Sequence, residues 1–578
     1  MRGELLGVAY DSLASHLLRG SAEVDQGAIQ FERYELDGKV FMYFGPFPAL
    51  VRILLNFIAP GHYGAWSRVS TVAAVFLSAI TFGRMVNSAL TINQSITSQS
   101  KKWLTIAAPL MLGLGTPLAF LLSAGNIYHE AMAWGICGTL LSLRSTLDLA
   151  INPKRRVQSM RVFSIGFAVS LLSRLTTAIP ALLLMPFVLV RYIRLELPKD
   201  HSRLSIPRKL IVPCGTILIS SLFQLWYNYD RFGSVLVFRD LSKYFFSKTH
   251  LGPDFYASRL PDAVIHYFGV SSRHFLDRAP FIGMVTSIYQ RPELFVLPWR
   301  EQTISLSLSA PWLLIAGSVG TLYALIRPCQ SLSRIALLAT LVQALLVMSY
   351  FFISQRYAAE LVPFFVVGLC VFASQCRLNR LWFSALVAAS ALSVFVTLTS
   401  AIRFHMLFDP PTPAALRQPF ESLFFPDIAA ALVDSGATSI TDLVPLADQS
   451  ATIPACPNRD VFDRPLRLLT YSALKGLGMR AGSRVSYEVP PDTIEFRGIA
   501  MLSERSAACN EITLTFEGHN EDGTLIFQQR ISSNTPHPIP LSASIVAVRR
   551  LTISLRQDIQ SPLCDAANLY AARFIRRR

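Results

Sequence analysis

Six short stretches of this sequence carry residue types able to do chemistry together: AYDSLASHLLRG, DQGAIQFERYELDGK, NIYHEAMAWG, SRLTT, WYNYDRFGS and SQRYAAELVP. Carboxylates and arginines alternate across them. Glu4, Asp11, Asp25 and Glu130 supply carboxylates, and a carboxylate can take a proton from an acceptor hydroxyl. Arg174 and Arg356 carry forked donors suited to holding and neutralising a phosphate leaving group. Asp25, Tyr128, His129, Asn228 and Tyr357 stand beside them as candidate substrate contacts. His16, His62 and His129 lack metal-ligand spacing, and no CxxC or Cys/His cluster occurs. No protein-only metal site and no cofactor is expected, a divalent metal remaining an open option.

Each of these residues also has a plainer reading. Asp11 can decorate a surface helix, and Asp25 and Glu32 can be solvated loop charges. Glu130 can sit at a helix start because the dipole favours a carboxylate there. Arg174 can snorkel to lipid headgroups. Arg356 can pair with Glu360 one helical turn on. Tyr43 and Phe44 read as interfacial anchors.

The surrounding chain sets the solvent. Of 578 residues, 52% are hydrophobic and 16% charged, against about 25% charged in a soluble domain. Apolar runs of about 17 to 22 residues recur, enough to cross a bilayer of about 30 Å as helices. They fall near 66–88, 104–123, 127–143, 210–229, 306–326, 335–353, 357–375 and 381–403, with a longer stretch at 161–194. The net charge of +16 comes largely from short loops between these runs, so it points to anionic lipid rather than nucleic acid. Lys101, Lys102, Lys154, Arg155, Arg156, Arg191, Arg194, Arg203, Arg208, Lys209, Arg327, Arg334, Arg377 and Arg380 share one side only if 161–194 crosses twice. SRLTT then becomes the outer crest of a hairpin. A single tilted or re-entrant span with Arg174 buried is the alternative.

The expected fold is therefore a polytopic α-helical membrane protein of about ten spans, with a mainly-β domain outside the membrane. Residues 1–64 form a first extracytoplasmic segment with interfacial helices. Residues 65–403 form the transmembrane domain, with a long outer loop at 230–305. Residues 404–482 are a linker with short helical pieces such as DIAAALVDSG. Residues 483–578 alternate as strands in RVSYEV, EITLTFE and RLTISLR and predict a small β-sandwich. Of eight cysteines, Cys509 and Cys564 can pair if the tail is extracytoplasmic. On this topology the six polar stretches share the outer edge. Ionisable groups at a membrane boundary need partners or water, so a common outer cavity follows. An aromatic-lined groove there suits an isoprenoid chain.

In order and sidedness, YDSLASHLLRG, DGKVFMYFGPFPALVR, IYHEAMAWG, YNYDRFGS and QRYAAELVPF resemble the GT-C fold of integral-membrane glycosyltransferases. That superfamily includes protein O-mannosyltransferases and the aminoarabinose transferase of lipid A; the likeness is to an actinobacterial-type branch, over about residues 1–405. The resemblance implies a polyprenyl-phosphate sugar as donor substrate, used on the extracytoplasmic face of the plasma membrane. It implies a base in the first outer loop, for which Asp11 is the candidate, and a second acid, Glu130, in the next. Membrane lipid, the lipid-linked sugar and an envelope glycan, lipid or protein acceptor are the expected partners. The family carries a helix before the first outer loop, whereas this sequence starts inside that loop, so a first span is expected upstream. An envelope glycolipid transporter or flippase, and a non-catalytic glycan-binding membrane scaffold, are the competing readings.

Overall fold

A computed structural model describes residues 4, 6–29, 32–196, 208–237, 254–276, 280–285, 299–327, 331–376, 380–408, 438–448, 455–458, 466–468, 471–472, 475–502, 512–533, 539–557 and 566–576. The chain divides into two compact units. One is helical and comprises residues 1–270, 293–298 and 304–402; the other comprises 271–292, 299–303 and 403–578 and holds the β-sheets.

The helical unit opens with α1 (Val8–Leu17), the short α2 (Gln26–Ile29), a two-stranded ribbon (Tyr34–Leu36 with Lys39–Phe41) and α3 (Phe47–Ile58). Tyr10, Leu13, Ile29, Tyr34, Phe41 and Phe44 pack with Ile127, Tyr227 and Phe232 into one core, so this segment is folded onto the ends of later helices. There follow α4 (Ser67–Ile92), α5 (Ser98–Leu114), the one-turn α6 (Leu118–Leu121), α7 (Ile127–Ile151), α8 (Arg156–Ser173), α9 (Leu175–Glu196) and α10 (Ile211–Phe232). After α11 (Leu260–Phe268) and α12 (Leu306–Ser309) come α13 (Pro311–Ile326), α14 (Ser331–Met348), α15 (Gln355–Gln375) and α16 (Arg380–Phe408).

Among the described residues, five helices are long and apolar enough to cross a membrane: Ser67–Ile92, Leu175–Leu195, Ser331–Met348, Gln355–Gln375 and Arg380–Met406. Two expected spans are shorter than the hydropathy suggests. The run 104–123 breaks at Gly115 and Pro117 into α5 and α6, and the run 306–326 breaks before Pro311 into α12 and α13. In each case a proline opens the second helix, where its missing N–H leaves no ladder bond unmade. The stretch 161–194 is two helices, as the hairpin requires. Arg174 alone leaves the helical conformation between them, at φ −162° and ψ 128°.

Close backbone approach sets the bundle's tightest contact. A Cβ on Gly320 of α13 would meet the Gly368 carbonyl oxygen of α15, and one on Gly368 would meet the Gly317 carbonyl oxygen.

In the other unit, two large antiparallel sheets accompany a two-stranded ribbon, Arg467–Leu468 with Tyr471–Ser472. The six-stranded sheet runs 539–544, 493–502, 566–576, 476–480, 456–457, with 438–439 also on 566–576; the five-stranded one runs 525–533, 512–519, 550–557, 484–488, 445–448. Leu477, Phe496, Leu569 and Phe574 of the first share a core with Val485, Phe516, Leu551 and Ile553 of the second. That is the sandwich, but its strands begin at Thr438 rather than at 483. The early strands are two to five residues long, too short for alternation to register. The DIAAALVDSG stretch, Cys509 and Cys564 lie outside the described residues.

Gly320→Ala should destabilise the full-length protein by about 1–3 kcal/mol, the usual consequence of overpacking. Gly215→Ala, where an added Cβ meets nothing within 4 Å, should be neutral or slightly stabilising. Thermal melts of the two variants in one detergent test the contrast.

Candidate active site at one end of the helical bundle

The starts of α4, α7 and α15, the α8–α9 crest and the end of α10 converge with the N-terminal segment. Three of these helix ends are fixed by local devices. Asn126 caps α7, its Oδ1 accepting from the His129 N–H at 2.8 Å. Glu4 accepts from the Ser67 and Arg68 N–H groups at 2.5 and 3.0 Å, closing the start of α4. Gly233, at φ +67°, terminates α10 in the left-handed conformation that only glycine adopts without strain.

The first cluster surrounds Arg52. This residue lies in the apolar run of α3 yet is fully buried. Its Nη2 donates to Glu130 Oε2 at 2.6 Å and to Ser67 Oγ at 3.0 Å, and its Nε is 3.7 Å from Asp11 Oδ1. Asp11 further accepts from Asn56 Nδ2 at 2.7 Å and from the Gly64 N–H at 2.8 Å. Burial raises the Asp11 carboxyl above its usual value, against the opposing effects of Asn56, Gly64 and Arg52. Asp11 and Glu130 are therefore brought together, through one arginine, and both are fully buried. The geometry is that of a clamp between α1, α3, α4 and α7. The surface-helix reading of Asp11 does not survive.

The second cluster surrounds Tyr357. Arg174 pairs through Nε with Glu360 at 2.6 Å and donates to Thr176 Oγ1 at 3.0 Å, while Thr176 donates to Glu360 at 2.7 Å. Glu360 thus pairs across to the hairpin crest rather than serving only its own helix. Arg174 lies 5.0 Å from the Tyr357 ring centroid. Arg356 lies 5.4 Å from the same ring, 4.8 Å from Tyr128 and 5.2 Å from Phe352, a cation–π arrangement on three sides. Tyr128 donates to Glu32 at 2.8 Å. Glu32 is 8% exposed, so it is not a solvated loop charge.

The YFGPF segment runs between the clusters. Phe44 packs on Tyr128 at 5.3 Å and on Tyr10 at 6.4 Å between ring centroids, with Tyr43 stacked on it at 4.0 Å. A Cβ on Gly45 would collide with the Leu172 and Ser173 carbonyl oxygens of the crest. The Phe44 carbonyl accepts from Tyr227 at 3.0 Å. Tyr43 and Phe44 are consequently internal parts of the site rather than interfacial anchors.

The remaining candidates fall elsewhere. Asp25, 67% exposed at its side chain, accepts from Ser12 at 2.6 Å and meets His16 at 3.3 Å. The Ser12 hydroxyl, then His16, lowers its pKa. Asn228 is buried at the end of α10, accepting from Gln224 and Arg231 and donating to the Val235 carbonyl, so it holds the helix terminus. His129 is buried, with Nδ1 3.0 Å from the Leu121 carbonyl oxygen. No group of three or more His, Cys, Asp or Glu residues suited to a metal ion occurs among the described residues.

Arg52, Glu32 and Glu360 are residues to which sequence reasoning gave no site role. The available signal for Arg52 was a lone arginine inside PALVRILLNF. Glu360 was visible only as a helical neighbour of Arg356, and Glu32 only as a loop carboxylate.

No protein-family model matches the sequence, and no curated protein matches it. Among solved structures, an Archaeoglobus fulgidus oligosaccharyltransferase tethered with an acceptor peptide aligns with 74% of this chain and 54% of its own, at 14% identity and a TM-score of 0.36. A CBM51 from Clostridium perfringens GH95, in complex with methyl-galactose, aligns over its whole length with 24% of this chain, at 12% identity and a TM-score of 0.21. The CBM51-2 and INT domains of Clostridium perfringens ZmpB align over 31% of their length with 24% of this chain, at 15% identity and the same score. Likenesses at these scores assign neither fold nor function.

Arg52→Ala should leave two buried carboxylates without their cation and destabilise the protein by about 3–5 kcal/mol. Exposed Arg19→Ala is the reference, expected within about 0.5 kcal/mol of wild type. Equal melting temperatures for the two variants would refute the clamp.

Proposed function

We propose that the chain is a membrane glycosyltransferase of the GT-C type that its motifs resemble. It moves a sugar from a polyprenyl-phosphate donor to an acceptor hydroxyl on an envelope glycan, lipid or protein, on the extracytoplasmic face of the plasma membrane. One observation carries the reading. Glu360 and Thr176 hold Arg174 by its Nε, and its two terminal amines have no hydrogen-bond partner among the described residues. A guanidinium held from behind presents a two-pronged donor to a phosphate. Arg356 shares the Tyr357 ring with it and adds a second positive charge.

The reaction is inverting. The acceptor oxygen attacks the anomeric carbon, the bond from that carbon to the phosphate oxygen breaks, and polyprenyl phosphate leaves with the bonding pair. Arg174 and Arg356 stabilise the charge gained by the phosphate. The acceptor proton passes to a carboxylate. Asp11 and Glu130 serve the Arg52 clamp in this scheme, and Glu32, held by Tyr128 beside Arg356, is the base. Tyr43, Phe44, Tyr128 and Tyr357 supply aromatic surface for sugar and isoprenoid.

The test is sugar transfer by the full-length protein in proteoliposomes, with a panel of polyprenyl-phosphate hexoses and pentoses and envelope extract as acceptor. Arg174→Ala should lower turnover about 10²- to 10³-fold, as loss of one transition-state donor does. Glu32→Gln should lower it about 10²- to 10⁴-fold. Wild-type rates in both variants would remove the site assignment. Transbilayer movement of the donor without its consumption would instead make the protein a flippase.

A further inference from the structure

The other end of the bundle carries an arrangement that sugar transfer does not use. Helices α4 and α7 run side by side in the same direction: Trp134 Nε1 donates to Ser70 Oγ at 2.8 Å near their starts, and Ser88 Oγ donates to Asp148 Oδ1 at 3.0 Å near their ends. Arg84 lies one turn before Ser88, and Arg144 one turn before Asp148. The register therefore sets two arginines opposite each other on neighbouring helices. Each stands 17 residues past the first residue of its helix, about 25 Å along a bilayer core about 30 Å thick. The level is that of the far leaflet.

Among the described residues, one carboxylate serves this group. Asp148 Oδ2 lies 3.4 Å from Arg144 Nε, with the two side chains only 12% and 18% exposed. Arg84 is exposed and has no carboxylate or hydrogen-bond partner among the described residues. Arg155, in the 3-10 turn (Pro153–Arg155) that follows α7, is likewise exposed and without a carboxylate partner among them. Both act electrostatically on Arg144. Asp148 balances the charge of Arg144, so Arg84 and Arg155 leave a surplus of two positive charges at this level. Like charges facing each other beside hydrocarbon demand an anion. Ser88 and Asp148 fix Arg144, so the site is partly preformed.

We propose that Arg84, Arg144 and Arg155 bind the phosphate of an anionic phospholipid headgroup in the leaflet opposite the Arg174 site. The lipid occupies the surface seam between α4 and α7, its chains lying along the exposed apolar side chains of α4 such as Leu77 and Phe76. A bound lipid there would brace the two helices whose opposite ends carry Ser67 and Glu130.

Native mass spectrometry of the detergent-solubilised full-length protein, titrated with phosphatidylglycerol or phosphatidylcholine, tests this. Wild type should prefer phosphatidylglycerol. Arg84→Gln/Arg155→Gln should weaken phosphatidylglycerol binding roughly 25-fold, about fivefold per arginine, and leave phosphatidylcholine unchanged. The single variant Arg155→Glu gives the same readout should the double variant not fold. Lys101→Gln/Lys102→Gln, which removes two charges from the adjacent helix α5, should keep the preference. An unchanged preference in the arginine variants overturns the proposal, as does an equal loss in the lysine variant. Displacement of phosphatidylglycerol by millimolar inorganic phosphate would also overturn it, assigning the site to a free anion.

Discussion

The structure of the helical unit depends on one buried cation. Arg52 reaches Asp11 of the N-terminal segment, Ser67 at the start of α4 and Glu130 at the start of α7. Two buried carboxylates share this one guanidinium. Burying such a group is favourable only when every partner is in place, so the interaction works as a registration device. It holds the segment 4–64 at one rotation and depth on the bundle.

That registration makes the Tyr357 cluster possible. Once α1 and α3 are fixed, YFGPF lies along the α8–α9 crest, where only Gly45 fits against the Leu172 and Ser173 carbonyls. Phe44 is then in contact with Tyr128, which holds Glu32. On the other side, the break at Arg174 turns the crest so that its guanidinium reaches Glu360. The site is thus assembled from four chain regions separated by up to several hundred residues, and each contributes a helix end or a turn rather than a helix middle. Helix middles here are apolar and pack through small residues, as in the Gly317, Gly320 and Gly368 contact. Polar chemistry is confined to the bundle's ends, where unsatisfied backbone groups already require partners.

Much of the architecture was legible without coordinates. Hydropathy located the apolar helices, and the distribution of basic loops made 161–194 a hairpin with Arg174 at its turn. Alternation in RVSYEV, EITLTFE and RLTISLR located strands of the sandwich. The two shortened spans were misjudged because hydropathy is blind to a proline that opens a second helix within one apolar run. The early boundary of the sandwich was missed because strands of two residues have no measurable period.

The sequence by itself determined which residues are apolar, which turns interrupt them and which side of the bundle gathers charge, because these follow from local composition and from the energetics of placing charge in a bilayer. It also singled out Arg174, Arg356, Tyr128 and Tyr357 as neighbours at one level. Only the tertiary structure decided who pairs with whom. Asp11 and Glu130 share Arg52, Glu360 takes Arg174, and Glu32 takes Tyr128; the paired residues are separated by 41 to 186 positions. Carboxylates look alike in a sequence. What distinguishes a clamp from a candidate base is burial and the direction of each donor, and those arise only when the helix ends are brought together.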